Sequence, residues 1–390
     1  MNIFFKFPQI QLPKLSNLIK AIFIRKIPNN LSSFWCNNDD LSQWFSRSAW
    51  SLYYIILIKK SLSNKETIVI WLPDYFCNET LNYSRTLKGV SFYFYRINND
   101  MSPNIDDLLR HDEKNKPDIF LFVHYFGNHF VEKRLFDFCK LNEIWIIEDA
   151  AHVLIPNKHI GQYGDFILYS PHKLFPIPDG SIMVLKKNGP SNLLNNKSFL
   201  NLFDGNMDEF IQNNYFNKYI YLWFTKRLLQ HLGLKTFIQQ SDFEIILQSN
   251  KLNKFHKNIT NISKKILSYE ISKLNEIIEI RAKNKIIWGI VLKKLITKIK
   301  YKIIDNNAIS YLLAIKFNNK EDCIKIYNLF IKLGIPITHW PDLPNEVIQD
   351  QNWHSIAIQL RNTCLFLPTH TNVDFTKIEN LTFDQTIRKI

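Results

Sequence analysis

Two groups with the chemistry of an acid and an amine follow strand-like runs near the middle of the chain. Asp149 ends a run of strand-forming residues in the stretch "IWIIEDAAH" (144–152), where two alanines and His152 come next. Lys173 lies 24 positions further on, in "YSPHKLFPIPDG" (169–180). We expect the fold to bring this carboxylate and this amine to one site.

The surroundings of Asp149 suit a flat heteroaromatic ring. The two alanines remove bulk, so a ring could lie against them while the carboxylate reaches a ring nitrogen. An ionised aspartate keeps a pyridine nitrogen protonated and makes the ring an electron sink, as pyridoxal 5'-phosphate (PLP) requires. His152 is close enough in sequence to bond a ring substituent. A structural role, in which Glu148 and Asp149 only cap a strand at the surface, stays open.

Lys173 lies in a loop punctuated by proline and glycine. A lysine in an apolar, partly dry pocket has a lowered pKa and can form a Schiff base. Its neighbours Leu174 and Phe175 would supply apolar surroundings, and Ser170 could offer a hydroxyl to a phosphate. The alternative is an ordinary solvated loop lysine.

The segments around these groups alternate between strand-like and helix-like patterns from residue 40 to residue 187. The pattern predicts strands at 67–73, 90–97, 118–126, 144–150, 165–170 and 181–186, and helices at 41–60, 79–87, 102–111 and 132–142. Several strands are apolar at successive positions, which indicates a mostly parallel sheet covered by helices. Ligands bind beyond the carboxyl ends of such strands, where Asp149 and Lys173 lie.

The remainder of the chain predicts a second, smaller α/β unit. Residues 188–260 show no clear period, and a long helical pattern covers 261–296. Residues 308–341 then read as strand, helix and strand. We therefore expect an N-terminal extension at 1–39, a large domain at 40–260 and a smaller C-terminal domain at 261–390.

Together these stretches resemble a known family. The run "VHYFGN…EKRLFDFCKLNEIWIIEDAAH…GQYGDFILYSPHKLFPIPDGSIMV" is similar to the core of the DegT/DnrJ/EryC1/StrS proteins, which are PLP-dependent sugar aminotransferases. The resemblance covers residues 40–190 well and the C-terminal part more loosely. It implies the α/β fold of type I PLP-dependent transferases, with a mostly parallel sheet in the large domain and a smaller C-terminal α/β domain.

The resemblance also implies roles for individual residues. Lys173 matches the catalytic lysine, and Asp149 matches the partner of the pyridine nitrogen. His152 matches the position beside the ring hydroxyl, and Ser170 matches a phosphate-contacting serine. In "FSRSAWSL" (45–52), Arg47 and Ser48 match a phosphate-holding turn at a helix N-terminus, although Ser48 could equally be a simple N-cap.

Further matches fall on aromatic and histidine residues. "PDYFCN" (73–78) matches the loop that lays an aromatic ring over the cofactor, on Tyr75 or Phe76, unless Cys77 takes that position. His124 and His370 match substrate-facing positions, while a core or loop role for His124 stays open.

The function implied is amino transfer from an amino acid, expected to be glutamate, to a nucleotide-linked keto-sugar in polysaccharide or nucleotide-sugar biosynthesis, by a homodimer. The sequence departs from the family at "PIPDGS", where a Gly-Glu-Gly-Gly turn is usual, at Arg47, which replaces a glycine, and near Asn261, where an arginine is missing. Two alternatives stay open. One is a PLP-dependent sugar dehydratase, against which Lys173 argues because dehydratases resembling the family tend to replace that lysine. The other is a catalytically inactive binding protein.

Composition limits the partners. The net charge of +14 could indicate nucleic acid or a membrane surface. The densest basic stretch (292–304) alternates lysines with apolar residues, and no nucleic-acid-binding signature accompanies it, so we expect no nucleic acid. The basic, partly apolar N-terminus could lie against a membrane surface or a partner, but no stable membrane insertion is expected. Five scattered cysteines without a CxxC predict neither a disulfide framework nor a metal site, and favour the cytoplasm.

Overall fold

The computed structural model describes most of the chain. The described residues are 7–23, 27–28, 30–110, 116–190, 213–232, 243–248, 256–304 and 309–379.

A seven-stranded sheet is the largest element of the fold. Its strands are β1 (Leu41–Phe45), β2 (Ile68–Pro73), β3 (Val90–Tyr95), β4 (Ile119–Val123), β5 (Trp145–Asp149), β6 (Phe166–Tyr169) and β7 (Ser181–Leu185). They lie in the order β1-β7-β6-β5-β4-β2-β3. The five strands from β6 to β3 run parallel, whereas β7 and β1 are antiparallel to their neighbours.

The central strands are covered on both faces. Every residue of β4 and β5 is buried. The uninterrupted apolar runs of the sequence predict this, because a strand between two helical layers has no solvent-facing side. The predicted α/β class with a mostly parallel sheet is confirmed.

Two predicted helices have other structures. Residues 41–60 begin with the edge strand β1, and helix α2 starts only at Ser48. Apolar residues at positions 41, 44 and 45 fit a helical face, but pairing of this segment with β7 decides its conformation. Residues 79–87 form short 3-10 turns instead of an α-helix.

A smaller antiparallel sheet forms in the C-terminal part. Its strands are β8 (Tyr301–Ile304), β9 (Leu312–Phe317), β10 (Thr338–His339) and β11 (Cys364–Pro368), in the order β10-β11-β9-β8. The predicted strand, helix and strand at 308–341 are present, with β10 shorter than the pattern indicates. The domain boundaries stay predictions.

Helices cover both sheets. They are α1 (Leu15–Phe23), α2 (Ser48–Leu62), α3 (Ile105–Arg110), α4 (Lys133–Leu141), α5 (Pro171–Leu174), α6 (Asn213–His231), α7 (Asn261–Ile271), α8 (Leu274–Leu295), α9 (Lys320–Lys332), α10 (Asn345–Gln349), α11 (Ser355–Thr363) and α12 (Thr376–Glu379). None of the helices searched within these described ranges is long and apolar enough to cross a bilayer.

Backbone pairing joins the C-terminal part to the carboxyl end of β5. Val153 forms an isolated antiparallel bridge with Ser310, and the Leu154 N–H donates to the Ile309 carbonyl at 3.3 Å. This pairing brings the segment before β9 over the end of the large sheet, where Asp149 lies.

The central strands should carry much of the stability. Leu121 is completely buried in β4, so Leu121→Ala should lower the free energy of unfolding by about 2–5 kcal/mol, because it removes buried methyl groups and leaves a cavity. Leu141→Ala is the matched control, since this leucine at the end of α4 is 83% exposed. It should change the free energy by no more than about 0.5 kcal/mol in urea denaturation. Equal effects would contradict this packing.

Candidate active site

Lys173 lies in the short helix α5, which starts directly after β6. Ser170 is the N-cap and Pro171 takes the first helical position. Proline suits this position because a backbone N–H there would have no acceptor within the helix. The lysine side chain is exposed, and its Nζ lies 5.6 Å from the ring centroid of Tyr311. Desolvation by the surrounding residues lowers the pKa of Lys173, while the charge of Asp149 partly opposes that effect.

Asp149 is the last residue of β5 and is almost fully buried. Its Oδ1 accepts the Ala151 N–H at 2.9 Å. Burial raises the pKa of the Asp149 carboxyl, and the positive charge of Lys173 lowers it in part. The two groups therefore act on each other's pKa.

The amine and the carboxylate interact without touching. Within the described residues, no ion pair joins the ammonium of Lys173 to Asp149, although each appears among the charges that shift the other's pKa. The central expectation from the sequence, that these two residues face one site, agrees with this arrangement. A flat ring could bind between the amine of Lys173 and the carboxylate of Asp149 because no direct ion pair joins them.

His152 forms part of the wall beside this space. It is buried among aromatic rings, with its centroid 5.0 Å from those of Phe126 and Tyr311. Its Nδ1 accepts the Phe126 N–H at 3.3 Å, so that nitrogen carries no proton. Burial, followed by the charge of Lys173, holds the pKa of His152 well below its usual value, and the ring is neutral at pH 7.

A polar end of the site is formed by Ser170 and the start of α2. The hydroxyl of Ser170 is completely buried and, among the described residues, has no hydrogen-bond partner. Helix α2 begins at the half-buried Ser48, and no side chain caps its N-terminus. Arg47 donates to the Pro178 carbonyl and to the Tyr219 hydroxyl, at 3.3 and 2.8 Å. Its charge acts on Lys173 and lowers the pKa of the lysine further.

The loop after β2 presents a thiol at the lysine. Tyr75 is buried and stacks on Trp340 at 4.4 Å, and Phe76 is buried beside it in sequence. Cys77 and Lys173 influence each other's pKa, and burial raises the pKa of the thiol to about 12. Cys77 donates to Asp342 Oδ1 at 3.4 Å. Of the three residues considered for this loop, the structure thus brings Cys77 to the lysine.

His124 does not face the substrate side of the site. It is completely buried, and its Nε2 lies 2.8 Å from Oε2 of Glu148. Consecutive residues of a strand point to opposite faces, so Glu148 and Asp149 look away from each other. The substrate contact expected of His124 is therefore wrong. The histidine instead pairs with Glu148, on the face of β5 opposite to Asp149.

His370 is also held by the backbone. Its Nε2 lies 3.1 Å from the Pro8 carbonyl, and its Nδ1 accepts the Asn372 N–H at 3.2 Å. Burial, with a smaller contribution from Arg281, lowers the pKa of His370 to about 3. With both ring nitrogens occupied, the substrate contact expected of this residue is likewise corrected.

The sequence reading missed Tyr311 and Arg281. Backbone pairing of residues 153–154 with residues 309–310 brings Tyr311 to the lysine. Arg281 is buried in α8 and donates to the Leu174 carbonyl at 2.7 Å and to Thr369 Oγ1 at 3.0 Å. It ties the residue after Lys173 to the C-terminal sheet. An arginine between apolar residues of a helical pattern is the one signal that could have indicated a buried position.

The unusual turn "PIPDGS" has a structural explanation. The buried carboxylate of Asp179 accepts hydrogen bonds from Thr260 at the N-cap of α7, from Ser263 at 2.5 Å, and lies 2.6 Å from His256 Nε2. Gly180 has a φ of +144°, which favours glycine, and an added Cβ would lie 3.0 Å from Ile259. The turn therefore anchors α7 to the loop that follows Lys173.

Comparison with solved structures identifies the fold. No protein-family model matches the chain. Spr1654 from Streptococcus pneumoniae, assigned as a sugar aminotransferase and solved in its PMP form, matches with a TM-score of 0.67 at 14% identity, over 100% of this chain and 97% of that one. PseC from Helicobacter pylori, an aminotransferase of pseudoaminic acid biosynthesis, matches with a TM-score of 0.65 at 14% identity, over 100% and 99% of the two chains.

A dehydratase shares the same fold. GDP-4-keto-6-deoxy-D-mannose-3-dehydratase from E. coli, solved with hydrated PLP, matches with a TM-score of 0.61 at 13% identity, over 97% of this chain and 99% of that one. The chain therefore has the fold of PLP-dependent sugar-modifying enzymes, and the resemblance read from the sequence is confirmed at the level of the fold.

The coupling of Lys173 to Asp149 can be measured by amine labelling. Asp149→Asn removes the negative charge that raises the pKa of Lys173, so more of the amine is neutral at pH 8. The lysine should then react with acetic anhydride about threefold faster or more, since one pKa unit changes the neutral fraction by about tenfold. Peptide mass spectrometry gives the rate for each lysine. Asp40→Asn, which removes an acid paired with Lys186, should leave the rate of Lys173 unchanged.

Glu148 should stabilise the fold above about pH 4.5. Burial alone would raise its pKa, but His124 and the N–H groups of Gly161 and Gly164 more than offset this and lower the pKa. The stabilisation is full above the unfolded value near 4.5 and is lost as the pH falls through the folded value.

Glu148→Gln should therefore lower the free energy of unfolding by about 2–4 kcal/mol at pH 7, as measured by urea denaturation. Below about pH 4.5 the free energies of unfolding of the variant and the unaltered chain should become more similar. The control is Glu346→Gln, at an exposed carboxylate paired with Arg85, which should cost less than about 1 kcal/mol. A difference that grows in acid would refute the assignment.

Proposed function

We propose that this chain is a PLP-dependent aminotransferase, a homodimer of the cytoplasm, that transfers an amino group from an amino acid to a nucleotide-linked keto-sugar in polysaccharide or nucleotide-sugar biosynthesis. Glutamate is the proposed donor. The single observation that carries the proposal is that the neighbouring parallel strands β5 and β6 deliver Asp149 and Lys173 at the same edge of the sheet, where the two residues are coupled electrostatically without an ion pair. The fold shared with PLP-dependent sugar enzymes supports it.

The residues present fit the cofactor. Asp149 would hold the pyridine nitrogen, because a protonated ring nitrogen would compensate a buried carboxylate whose pKa is raised by burial. His152 would lie beside the ring. Ser170, whose buried hydroxyl has no partner in the described chain, would donate to the phosphate together with the uncapped start of α2 at Ser48. Arg47 would add positive charge there. When bound, PLP supplies an electron sink for a carbanion.

Lys173 is the proposed proton carrier. Because desolvation lowers the pKa of the Lys173 amine, a larger fraction of it is neutral near pH 7 than for a solvated lysine. Such an amine can take a proton from one carbon and return it to another. Tyr311 lies 5.6 Å from the amine, and Cys77 and Asp149 act on its pKa.

A sugar dehydratase is the second candidate, because the dehydratase from E. coli shares the fold. Lys173 favours transamination, since its amine can carry the proton between two carbons, as the proposed reaction requires. The alternative of an inactive binding protein is supported by the altered turn at Asp179 and by Cys77 at the loop position expected to hold an aromatic ring.

Activity assays separate the three possibilities. The chain, loaded with PLP, is incubated with glutamate and a panel of keto-sugar nucleotides, and amino-sugar product is measured by mass spectrometry. We expect an amino-sugar with one or more substrates, and a loss on the order of a thousandfold or more in Lys173→Ala. Lys294→Ala, on an exposed part of α8, is the matched control and should keep full activity.

Other outcomes have distinct meanings. Loss of water from the sugar without nitrogen transfer would support the dehydratase. Binding of PLP and sugar with no turnover from any donor would support the binding protein. Full transfer activity in Lys173→Ala would refute the proposed role of the lysine.

A further inference from the structure

A segment before α1 runs along helix α8. We call residues 7–14 the N-terminal arm. Phe7 is buried against Trp288 of α8, with the ring centroids 6.5 Å apart. The side-chain oxygen of Gln11 accepts a hydrogen bond from Nη2 of Arg281, also in α8, at 3.2 Å. Trp288 and Arg281 are seven positions apart, so they lie on one side of the helix. The arm therefore follows the side of α8 that carries Arg281.

Further bonds fasten the arm on either side of Gln11. The Pro8 carbonyl lies 3.1 Å from Nε2 of His370, and the Leu12 N–H donates to Asn372 Oδ1 at 2.8 Å. Gln11 itself is buried between these two points. The arm thus keeps the amide of Gln11 in contact with the guanidinium of α8.

The same guanidinium caps the helix that carries Lys173. Nη2 of Arg281 donates to the Leu174 carbonyl at 2.7 Å. Leu174 is the last residue of α5, which has four residues. The carbonyls in the last turn of a helix have no partner within the helix, and so short a helix depends on contacts with other parts of the fold. The position of Lys173 therefore depends in part on Arg281.

Arg281 also fixes the backbone on the other side of the amine. Its Nη1 donates to the Thr369 hydroxyl oxygen at 3.0 Å and lies 3.5 Å from the Tyr311 carbonyl. The Thr369 hydroxyl lies 3.0 and 3.1 Å from the carbonyls of Ser310 and Tyr311. The ring of Tyr311 is 5.6 Å from Nζ of Lys173. One guanidinium thus bonds to the backbone of the lysine helix and of the residue that faces the lysine.

The charge of Arg281 is buried among neutral groups. The residue is 1% exposed, and its hydrogen-bond acceptors within the described part of the chain are carbonyl, hydroxyl and amide oxygens. Its Nε has no acceptor among these residues. A buried charge is stable only when its donors are hydrogen-bonded. Loss of the Gln11 oxygen would leave a second N–H without an acceptor, and the guanidinium would then move.

We propose that Arg281 and Gln11 are positioning residues for Lys173, and that the N-terminal arm thereby contributes to the active site. The arm fixes Gln11, Gln11 fixes the guanidinium, and the guanidinium fixes the end of α5 and the backbone of Tyr311. The part of Lys173 in amino transfer rests on the proposed function, whereas the placement of its amine does not. The alternative is that both side chains only stabilise the fold and leave the amine unaffected.

The test is the rate at which acetic anhydride labels Lys173 in the cofactor-free chain, measured as a function of pH. The midpoint of this profile reports the pKa of the amine, which desolvation lowers in the unaltered chain. Gln11→Leu should admit water and raise the midpoint. The labelling rate at pH 8 should then fall about threefold or more, since one pKa unit changes the neutral fraction by about tenfold. An unchanged midpoint in the folded variant would overturn the proposal.

Arg281→Lys separates the position of the side chain from its charge. A lysine keeps the positive charge, but its compact ammonium cannot reproduce the fork that joins Gln11, Leu174 and Thr369. We expect Arg281→Lys to raise the midpoint as Gln11→Leu does. If only Arg281→Met raises it, the charge acts on the amine through space, and the positioning role is refuted. If the Arg281 variants do not fold, Gln11→Leu alone decides.

The matched control is Asn17→Leu, which also replaces a buried amide near the N-terminus by leucine. Asn17 lies in α1 and donates to Oε1 of Glu270 in α7 at 2.8 Å. Its loss should lower the melting temperature by an amount comparable to that of Gln11→Leu and leave the labelling midpoint of Lys173 unchanged. An equal shift of the midpoint in this control would mean that any loosening of the fold reaches the amine, and would refute a specific role for Gln11.

Amino transfer gives a second readout. If the chain is an aminotransferase as proposed, Gln11→Leu should lower kcat about tenfold and change KM for the keto-sugar by less than about twofold, because Gln11 acts on the position of the amine. A chain that labels as expected but transfers no amino group would refute the proposed function alone. An active chain whose labelling midpoint and kcat are unaffected by Gln11→Leu would refute the positioning role alone.

Discussion

The interaction on which the site depends is the electrostatic one between Lys173 and Asp149, which follow two neighbouring parallel strands. Burial pushes the pKa of the amine down and the pKa of the carboxyl up, and each charge partly reverses the shift of the other. A direct ion pair would satisfy both groups and leave nothing to bind. Because the two groups form no ion pair, a ligand with a basic nitrogen and a carbonyl carbon would be able to interact with both.

The rest of the fold keeps these groups in place. On the far face of β5, Glu148 accepts bonds from Gly161 and Gly164 and pairs with His124, which fixes the strand end that carries Asp149. On the other side, Arg281 holds the Leu174 carbonyl beside Lys173. These hydrogen bonds hold the backbone on either side of Asp149 and Lys173.

The sequence was most informative where the structure depends on neighbours in the chain. Consecutive apolar residues in β4 and β5 predicted buried parallel strands, and strand ends predicted where Asp149 and Lys173 would lie. Sequence patterns did not predict the positions of residues that are held by contacts with distant parts of the chain. His370 looked available, but its partner is the Pro8 carbonyl, 362 positions away. Tyr311 carried no motif, because backbone pairing with residues 153–154 brings it to the lysine.

We propose that PLP attaches covalently to the amine of Lys173. The most direct measurement is to load the purified chain with PLP, reduce it with borohydride and map the added mass by peptide mass spectrometry. We predict near-stoichiometric label on the peptide that contains Lys173 and little on the surface lysines, because desolvation lowers the pKa of this amine and Asp149 would orient the ring. Label spread over exposed lysines, with Lys173 unmodified, would contradict it.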